Sequence, residues 1–279
     1  PYTAPEAEDG EYLLTIRFVT KQAATWAEAG HEVASDQFTI TGRPALPEIT
    51  ALDNSLIADE NDGLSVTGKN FSVKFSSQGY ITSLKYLSEE IIANEEGLKF
   101  NNMRWIENDA AMPSSVYNPT FRAGTPSIEY VNGDASGAEA VKISCSYTCS
   151  GFCAYTTTYT VYADATIDVE ASFSPQTSSI YRLGLGMTTV PGLENVKYFA
   201  RGPLANFVDR KTGSLAAVYS STVTDMAEHF VRPQTMGNHE DMRFVELTNN
   251  NGFGMRIDTE GQVSFSALHA TEQDFVKVR

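Results

Sequence analysis

Apolar and polar residues alternate along many short segments of the chain, and this period of two is the pattern of half-buried β-strands. Residues 12–18 and 71–75 place an apolar side chain at every second position, and residues 167–173 show the alternation most plainly. Similar segments follow at 141–144, 156–161, 244–247, 253–257, 263–268 and around Tyr198. The pattern therefore predicts an all-β protein built from many short strands.

Turn-forming residues separate these segments, as expected for strands joined by tight connections. The clearest turn signals lie at 76–79, 132–134, 150–151 and 249–252. Residues 224–229 are predicted as a short helix with Thr224 or Asp225 as its N-cap. Many short strands with regular turns are typical of a β-sandwich, and the sequence shows no repeat of the length expected for a propeller or a solenoid.

A change of composition near residues 41–49 predicts a domain boundary, because two prolines and a glycine interrupt the alternation there. We interpret residues 1–43 as the last strands of a truncated sandwich domain, since so few strands cannot bury a core alone. Residues 44–48 are then a linker, and residues 49–279 form a large sandwich domain. Neither terminus carries a recognisable start or targeting signal, so we expect part of a longer protein, and the compartment, cytoplasmic or periplasmic, stays open.

Charge and composition argue against three classes of protein. Its 35 acidic and 20 basic side chains give a formal charge of −15 and a pI near 4.6, whereas nucleic-acid binding needs clustered Lys and Arg. The apolar runs are only a few residues long, so no segment is predicted to span a bilayer. A hydrophobic content of 42% is sufficient for a sizeable core, which argues against general disorder.

The three cysteines recur at every fourth position, at Cys145, Cys149 and Cys153. Residues four apart on one strand are about 13 Å apart, which is too far for ligands of one zinc ion. The turn at 150–151 could bring Cys149 and Cys153 together, so a disulfide in an oxidising compartment is left open. The favoured interpretation is that the thiols are buried and pack as small apolar groups.

The titratable residues show no catalytic motif. The four histidines lack the spacing of a metal site on one helix, and no nucleophile signature accompanies them. Acidic pairs occur at 89–90, 95–96 and 240–241, and Glu107 is close to Asp109. Adjacent strand residues point to opposite faces, whereas a glycosidase needs two carboxylates about 5–5.5 Å or about 6.5–9.5 Å apart. We therefore place these pairs in solvated loops and assign no catalytic residue and no metal site.

Four stretches of the sequence resemble β-galactosidases of glycoside hydrolase family 2. Residues 26–34 (WAEAGHEVA), followed by Gln37 and Phe38, are similar to the end of that family's fourth domain, an immunoglobulin-like sandwich. Three further stretches resemble the fifth, C-terminal domain of that family: residues 198–213 (YFARGPLANFVDRKTG), 232–243 (RPQTMGNHEDMR) and 264–269 (SFSALH). The stretches agree in order, and the resemblance extends over essentially the whole chain, which is identified as a member of the family.

The resemblance implies both a fold and a function. The fold is a galactose-mutarotase-like β-supersandwich, preceded by the tail of an immunoglobulin-like sandwich and truncated at its C-terminus. The function is that of a non-catalytic part of a retaining β-galactosidase, which hydrolyses terminal β-D-galactosides with two glutamates of a catalytic barrel outside this chain. This part would wall the active-site cleft and support assembly. The implied partners are the galactoside, the barrel domain and further copies in a homo-oligomer, and any Mg or Na ion belongs to the missing domain.

The sequence departs from the family pattern at several polar positions. Ala205 and Phe207 stand where the family usually has an acidic residue and a tyrosine. Residues 235–236 and 239–240 replace Glu-Asn and Arg-Thr, and residues 104–109 form a shorter version of an Arg…Asn-Asp loop. These changes remove hydrogen-bonding groups for a hydroxyl-rich ligand, so galactose selectivity is less firmly implied than membership of the family.

Two stretches, 201–210 and 232–243, interrupt the alternation and are predicted as loops that contact carbohydrate in the intact enzyme. The carbohydrate-contact candidates are Asn206, Asp209, Arg210, Arg232, Asn238, His239, Asp241 and Arg243. Left open is the alternative that the charged residues among them form ion pairs that hold the loops. Two other functions also stay open: a stand-alone carbohydrate-binding sandwich, and an aldose epimerase with His229 or His239 opposite a carboxylate.

Overall fold

The computed structural model describes residues 10–49, 53, 55–61, 63–106, 119–178 and 180–277. Within these residues the chain forms eighteen β-strands, β1 to β18, and one short helix, α1. This nearly all-β architecture confirms the class predicted from the alternation, while the galactose-mutarotase-like arrangement stays a prediction. In this part of the chain, no helix has the length and apolar character needed to cross a membrane.

An antiparallel hairpin comes first. Its strands are β1 (Tyr12–Val19) and β2 (Glu32–Thr41). Large apolar side chains of the hairpin and its connection are exposed, among them Phe18 at 66% and Trp26 at 67%. A two-stranded hairpin is at best marginally stable alone, so we expect it to depend on neighbouring structure. The domain boundaries at residues 43 and 49 stay a prediction.

Two five-stranded sheets enclose the main core. One consists of β3 (Ile57–Asp59), β4 (Leu64–Thr67), β5 (Phe71–Phe75), β6 (Ile81–Tyr86) and β7 (Glu89–Glu90). The other consists of β10 (Ser127–Val131), β11 (Ala140–Cys149), β12 (Cys153–Tyr162) and β13 (Ile167–Pro175), with β9 (Arg122–Ala123) beside β11. Val73, Ile143 and Val161 are fully buried between them. The alternation in β5 places Phe71, Val73 and Phe75 on this inner face, as the sequence predicts.

A four-stranded sheet carries the candidate site. It contains, in spatial order, β16 (Leu215–Thr222), β15 (Asn195–Gly202), β17 (His239–Thr248) and β18 (Gly254–Phe265). Val196, Tyr198 and Ala200 of β15 are buried in its core together with Met242 and Val245 of β17. A separate two-stranded ladder pairs β8 (Lys99–Asn101) with β14 (Gly184–Gly186).

The short helix predicted at 224–229 is wrong, because residues 223–226 form a turn that no helix continues. In a helix that starts at Thr224, the Glu228 amide would donate to the Thr224 carbonyl, but here it points to the Met236 sulfur at 3.2 Å. The Thr224 amide, which would have no partner inside such a helix, donates to the Glu194 carboxylate at 2.8 Å. A contact outside the segment therefore replaces the helical hydrogen bond of Glu228.

Helix α1 (Glu272–Lys277) forms in a stretch for which the sequence predicts no helix. The Thr271 amide donates to the Asp274 carboxylate at 2.9 Å, and the Thr271 hydroxyl donates to it at 2.7 Å. This bonding resembles that of a capping box and fixes the start of the helix. Phe275 then packs against Trp105 and Met236. Trp105 precedes the helix by more than 150 positions in the sequence.

All three cysteines are free thiols, in agreement with the favoured interpretation. Cys145 and Cys153 are buried, and Cys149 is half-buried. The disulfide that the sequence left open is not formed in this structure.

Candidate functional site

The connection between β15 and β16, residues 203–214, is the first loop of the candidate site. It begins after Gly202, where an added Cβ would lie 2.9 Å from both the Tyr198 hydroxyl oxygen and the Tyr219 ring. Asn206 is fully buried beneath this loop. Its side-chain amide donates to the carbonyls of Arg201 at 3.0 Å and Leu204 at 2.9 Å, so it holds the loop backbone from inside.

The connection between β16 and β17, residues 223–238, is the second loop. The sequence predicts a loop at 232–243, but β17 already begins at His239. The break in the alternation after His239 corresponds to register shifts between His239 and Phe244. Gly237 has a φ of +66°, and an added Cβ would lie 2.9 Å from the Met226 carbonyl oxygen, so the close turn there needs glycine.

Asn238 and Asn206 join the two loops. The Asn206 amide donates to the Asn238 carbonyl at 2.7 Å, and the Asn238 side chain donates to the Asn206 carbonyl at 2.8 Å. The Asn206 side-chain oxygen accepts from the Glu240 amide at 3.0 Å. Both asparagines are buried, so they act on the shape of the loops rather than as exposed ligand-binding groups.

His239 lies in the core of the sheet with 2% of its surface exposed. Its Nδ1 lies 2.8 Å from the Arg201 carbonyl oxygen, and because a carbonyl only accepts, Nδ1 carries the hydrogen. The ring lies 4.7 Å from the Tyr198 ring and 5.4 Å from the Phe265 ring, between centroids. Burial lowers the pKa of His239, so the imidazole is neutral near pH 7.

Asp241 closes the first loop through two ion pairs. Its carboxylate accepts from Arg201 Nε at 2.5 Å and from Lys211 Nζ at 3.0 Å. Arg201 also donates to the Ser214 carbonyl at 2.8 Å, so both ends of the loop are tied to one carboxylate. Burial alone would raise the pKa of Asp241, but the hydrogen bonds from Arg201 and Lys211 outweigh it and hold that pKa below its usual range.

Arg243 connects the site to the N-terminal residues. Its guanidinium forms a two-pronged ion pair with the Glu11 carboxylate and donates to the Asp241 carbonyl at 2.5 Å. The guanidinium also lies 4.9 Å from the centre of the Phe199 ring. Asp241 and Arg243 thus form ion pairs that hold the loops, which is the alternative to sugar contact that the sequence left open.

A cavity of about 230 Å³ lies where the two loops approach each other. Its lining residues are Arg104, Ile106, Phe207, Asp209, Arg210, Phe230, Gln234 and Thr235. Asp209 and Arg210 are exposed at the cavity, and the Arg210 guanidinium lies 5.1 Å from the centre of the Phe207 ring. Arg232, also exposed, belongs to the second loop but does not line the cavity. The cavity combines apolar rings with charged and amide groups, which is the usual make-up of a small-ligand site.

The wall of the cavity rests on a polar network that the sequence analysis missed. The Thr235 hydroxyl donates to Glu272 at 2.6 Å and accepts from the Trp105 amide at 2.7 Å. Glu272 pairs with Arg182 at 3.0 Å, and Arg182 donates to the Asn238 side-chain oxygen at 3.3 Å. Burial raises the pKa of Glu272. These residues are far apart in the sequence and carry no local motif, so no sequence signal points to them.

A wider open cleft of about 2680 Å³ lies elsewhere, along residues of β13, β14 and β18. The eight carbohydrate-contact candidates do not line this cleft, whereas Asp209 and Arg210 line the smaller cavity. We therefore take the smaller cavity as the candidate site, because it is where residues of both predicted stretches meet.

The prediction of solvated loops is wrong for two acidic pairs, because Glu89 and Glu90 form β7 and residues 240–241 belong to β17. Glu90 accepts hydrogen bonds from the Ser83 hydroxyl and the Leu84 amide, and Glu96 accepts one from the Thr188 hydroxyl. Glu107 and Asp109 lie outside the described residues. Among the residues that are described, no group of three or more His, Cys, Asp or Glu side chains is arranged to hold a metal ion.

The fold and the two loops define a β-sandwich protein with a candidate ligand cavity beside a four-stranded sheet. Residues 67–279 match the β-galactosidase small-chain family, and residues 1–41 match domain 4 of β-galactosidases. The chain belongs to the β-galactosidase small-chain family, as the sequence resemblance implies.

Curated relatives agree with this assignment. The chain is similar to β-galactosidases of Priestia megaterium, with 28% identity over 96% of this chain and 26% of that protein, and of Halalkalibacterium halodurans, with 26% identity over 90% and 25%. A β-galactosidase of Streptococcus thermophilus is 24% identical over 96% of this chain and 27% of its own length. The chain thus spans about a quarter of the length of the curated relatives it matches.

Proposed function

We propose that the chain is a non-catalytic C-terminal part of a retaining β-galactosidase that hydrolyses terminal β-D-galactosides. The observation that carries this proposal is the match of residues 67–279 to the small-chain family, together with relatives named β-galactosidase of which the chain spans about a quarter. In this proposal the domain walls the active-site cleft and supports assembly of the enzyme.

The catalytic carboxylates lie in another part of the enzyme. Retaining glycosidases place an acid/base and a nucleophile carboxylate about 5–5.5 Å apart. Near the candidate cavity, Asp241 is paired with two cations, and Glu272 is bonded to Arg182 and Thr235. Carboxylates engaged in this way hold loops in place and are not available to a glycosidic bond.

The cavity between the two loops supports a carbohydrate-facing role. Asp209, Arg210 and Gln234 supply charged and amide groups, and Phe207 and Phe230 supply apolar rings. Sugars are recognised by such combinations, in which rings contact the C–H face and polar groups bond the hydroxyls. We propose that Asp209 and Arg210 face the carbohydrate, while Asn206, Asn238, His239, Asp241 and Arg243 position the loops.

The exposed apolar side chains of the hairpin suggest that another domain covers them in the intact enzyme. Phe18, Trp26 and Val33 present apolar surface at 66%, 67% and 62% exposure. Several large apolar side chains exposed on one hairpin and its connection are typical of an interaction surface. We propose the catalytic barrel and its flanking domain as this partner and a homo-oligomer as the state of the whole enzyme.

Hydrolysis of a nitrophenyl β-galactoside tests the proposal. We expect turnover by the full gene product and none by the 279-residue chain, because the proposal places both catalytic carboxylates in the barrel domain outside this chain. Turnover by the chain alone that disappears in Glu107→Gln or Glu240→Gln would contradict the proposal. Absence of turnover by the full gene product would contradict the β-galactosidase assignment itself.

A carbohydrate-binding module is the second candidate, favoured by the two aromatic rings at the cavity. Binding of galactosides by the chain, with no hydrolysis by the full gene product, would support it. The epimerase alternative, which requires His229 or His239, has less support. His239 is buried and its Nδ1 is bonded to the Arg201 carbonyl, and His229 is exposed and does not line the cavity. Interconversion of galactose anomers by the chain would revive it.

A further inference from the structure

Cys149 and Cys153 occupy directly opposite positions at the closed end of the β11–β12 hairpin. Opposite residues of an antiparallel pair have side chains on the same face, with Cα atoms about 4.5–5.5 Å apart. A disulfide needs Cα atoms about 4.4–6.8 Å apart. The register therefore gives Cys149 and Cys153 the Cα separation that a disulfide spans.

The hairpin end is held firmly by its own hydrogen bonds. The Phe152 amide donates to the Cys149 carbonyl at 3.0 Å, and the Gly151 amide donates to the Gln176 side chain at 2.9 Å. Gly151 has a φ of +73°, which glycine adopts without strain. A connection held in this way keeps the two cysteines facing each other.

Cys145 has no opposing thiol. It lies four residues before Cys149 on the same strand, about 13 Å away at the usual rise, and pairs across the ladder with Thr157. Its thiol donates to the Gln78 carbonyl at 3.3 Å and is buried. Of the three cysteines, one pair is thus placed to react, and its member Cys149 is half-buried and open to a small oxidant.

We propose that Cys149 and Cys153 form an oxidation site that closes to an intramolecular disulfide with a small-molecule disulfide as oxidant. The Cys149 thiolate attacks one sulfur of oxidised glutathione and releases one glutathione thiolate. The Cys153 thiolate then attacks the Cys149 sulfur of the mixed disulfide and releases the second glutathione. Two protein thiols are oxidised, the glutathione disulfide is reduced to two thiols, and the two protons pass to the released thiolates.

The surroundings set the rate of the second step. Cys153 packs among Phe152, Phe100 and Phe121, and this burial raises the pKa of its thiol. Because the thiolate is the nucleophile, ring closure is slow near neutral pH and accelerates as pH rises. Slow ring closure therefore explains why the two thiols are free in this structure although they can be oxidised to a disulfide.

The test is oxidation of the folded 279-residue chain with oxidised glutathione at about pH 8, followed by a thiol count in denaturant. We expect the count to fall from three to one and to return to three with dithiothreitol. Chymotrypsin cleaves after Tyr147 and Phe152 and so places each cysteine in its own peptide. Under these conditions the peptides of Cys149 and Cys153 should be linked.

Matched variants separate the proposal from general thiol reactivity. Cys145→Ser should still lose two thiols, whereas Cys149→Ser and Cys153→Ser should form no internal disulfide. Oxidation in about 8 M urea should give mixed pairings, because the fold no longer selects the pair. The proposal is overturned if three thiols persist in the folded chain after oxidation, or if Cys145 is found in the linked peptides.

Discussion

Asp209 and Arg210 are the two carbohydrate-contact candidates whose side chains reach the cavity. If they bond a substrate hydroxyl in the full-length enzyme, Asp209→Asn should raise KM about tenfold, which corresponds to about 1.4 kcal/mol for one weakened charged hydrogen bond. The melting temperature should stay within about 1 °C, because the side chain is exposed. Steady-state kinetics and thermal unfolding provide the measurement.

Asp225→Asn is a matched control for this prediction, since Asp225 is exposed and does not line the cavity. The control should leave KM unchanged. Equal KM values for Asp209→Asn and the unmodified enzyme would show that the cavity does not contact substrate. A fall in melting temperature with unchanged kinetics would assign Asp209 to loop stability.

The Asp241 carboxylate gives the domain a specific acid sensitivity. Its folded-state pKa lies below the ordinary value of about 3.9, so its contribution to stability is present above that value and is lost as pH falls through the folded-state pKa. Asp241→Asn should lower the free energy of unfolding at pH 7 by about 2 kcal/mol. It should also flatten the loss of stability below about pH 4.

Denaturant unfolding of both chains at several pH values measures this difference. Asparagine suits the test because it tolerates the φ of +56° at this position better than other residues. Parallel acid profiles for the two chains would mean that the ion pairs with Arg201 and Lys211 contribute nothing measurable.

Helix α1 supports the second loop through Phe275, which is 8% exposed and contacts Trp105 and Met236. Phe275→Ala should lower the free energy of unfolding by about 3 kcal/mol through lost burial and the cavity left behind. It should also shift the emission of Trp105 to longer wavelength, because this buried indole becomes hydrated.

Phe275→Leu is the matched control, as it keeps most of the apolar volume and should have a smaller effect. Trp26 is already 67% exposed, so its emission is a constant background, and Trp26→Phe removes it. Unchanged Trp105 emission in Phe275→Ala would show that the helix does not cover this side chain in solution.

Strand prediction succeeded where burial follows a period of two, as in β5 and β12. The helices were harder. A helix was predicted at 224–229 because the bond of the Glu228 amide to Met236 is invisible in a local pattern. Helix α1 was missed although Thr271 and Asp274 supply a usable start signal, because only one turn and a half follows it.

Three side chains attach the N-terminal hairpin and its flanking residues to the four-stranded sheet. The Gln37 side chain bonds both the amide and the carbonyl of Ala216 at 2.9 Å. Arg43 donates to the Arg243 carbonyl at 3.0 Å, and Glu11 pairs with the Arg243 guanidinium. The hairpin is therefore linked through Arg243 to Asp241 and the first loop.

Amide exchange tests this attachment. In the unmodified chain, residues 12–41 should be less protected than β11 and β12, because a two-stranded hairpin buries little. Gln37→Ala should lower hairpin protection further, by about tenfold for about 1.4 kcal/mol of lost hydrogen bonding. Lys21→Ala, at an exposed position, is the control. Equal hairpin protection in the Gln37 variant and the unmodified chain would refute the attachment.

The all-β class, most of the strands and the family could be predicted from the amino-acid sequence, because alternation and contiguous motifs are local properties of the chain. Which polar residues of the loop stretches face the cavity depends on long-range contacts. Asn206 and Asn238 bond each other across 32 positions, and Arg182 meets Glu272 across 90. Loops have no period that reports burial, so His239 and Asp209 look alike in the sequence, although one is buried in the core and the other is exposed.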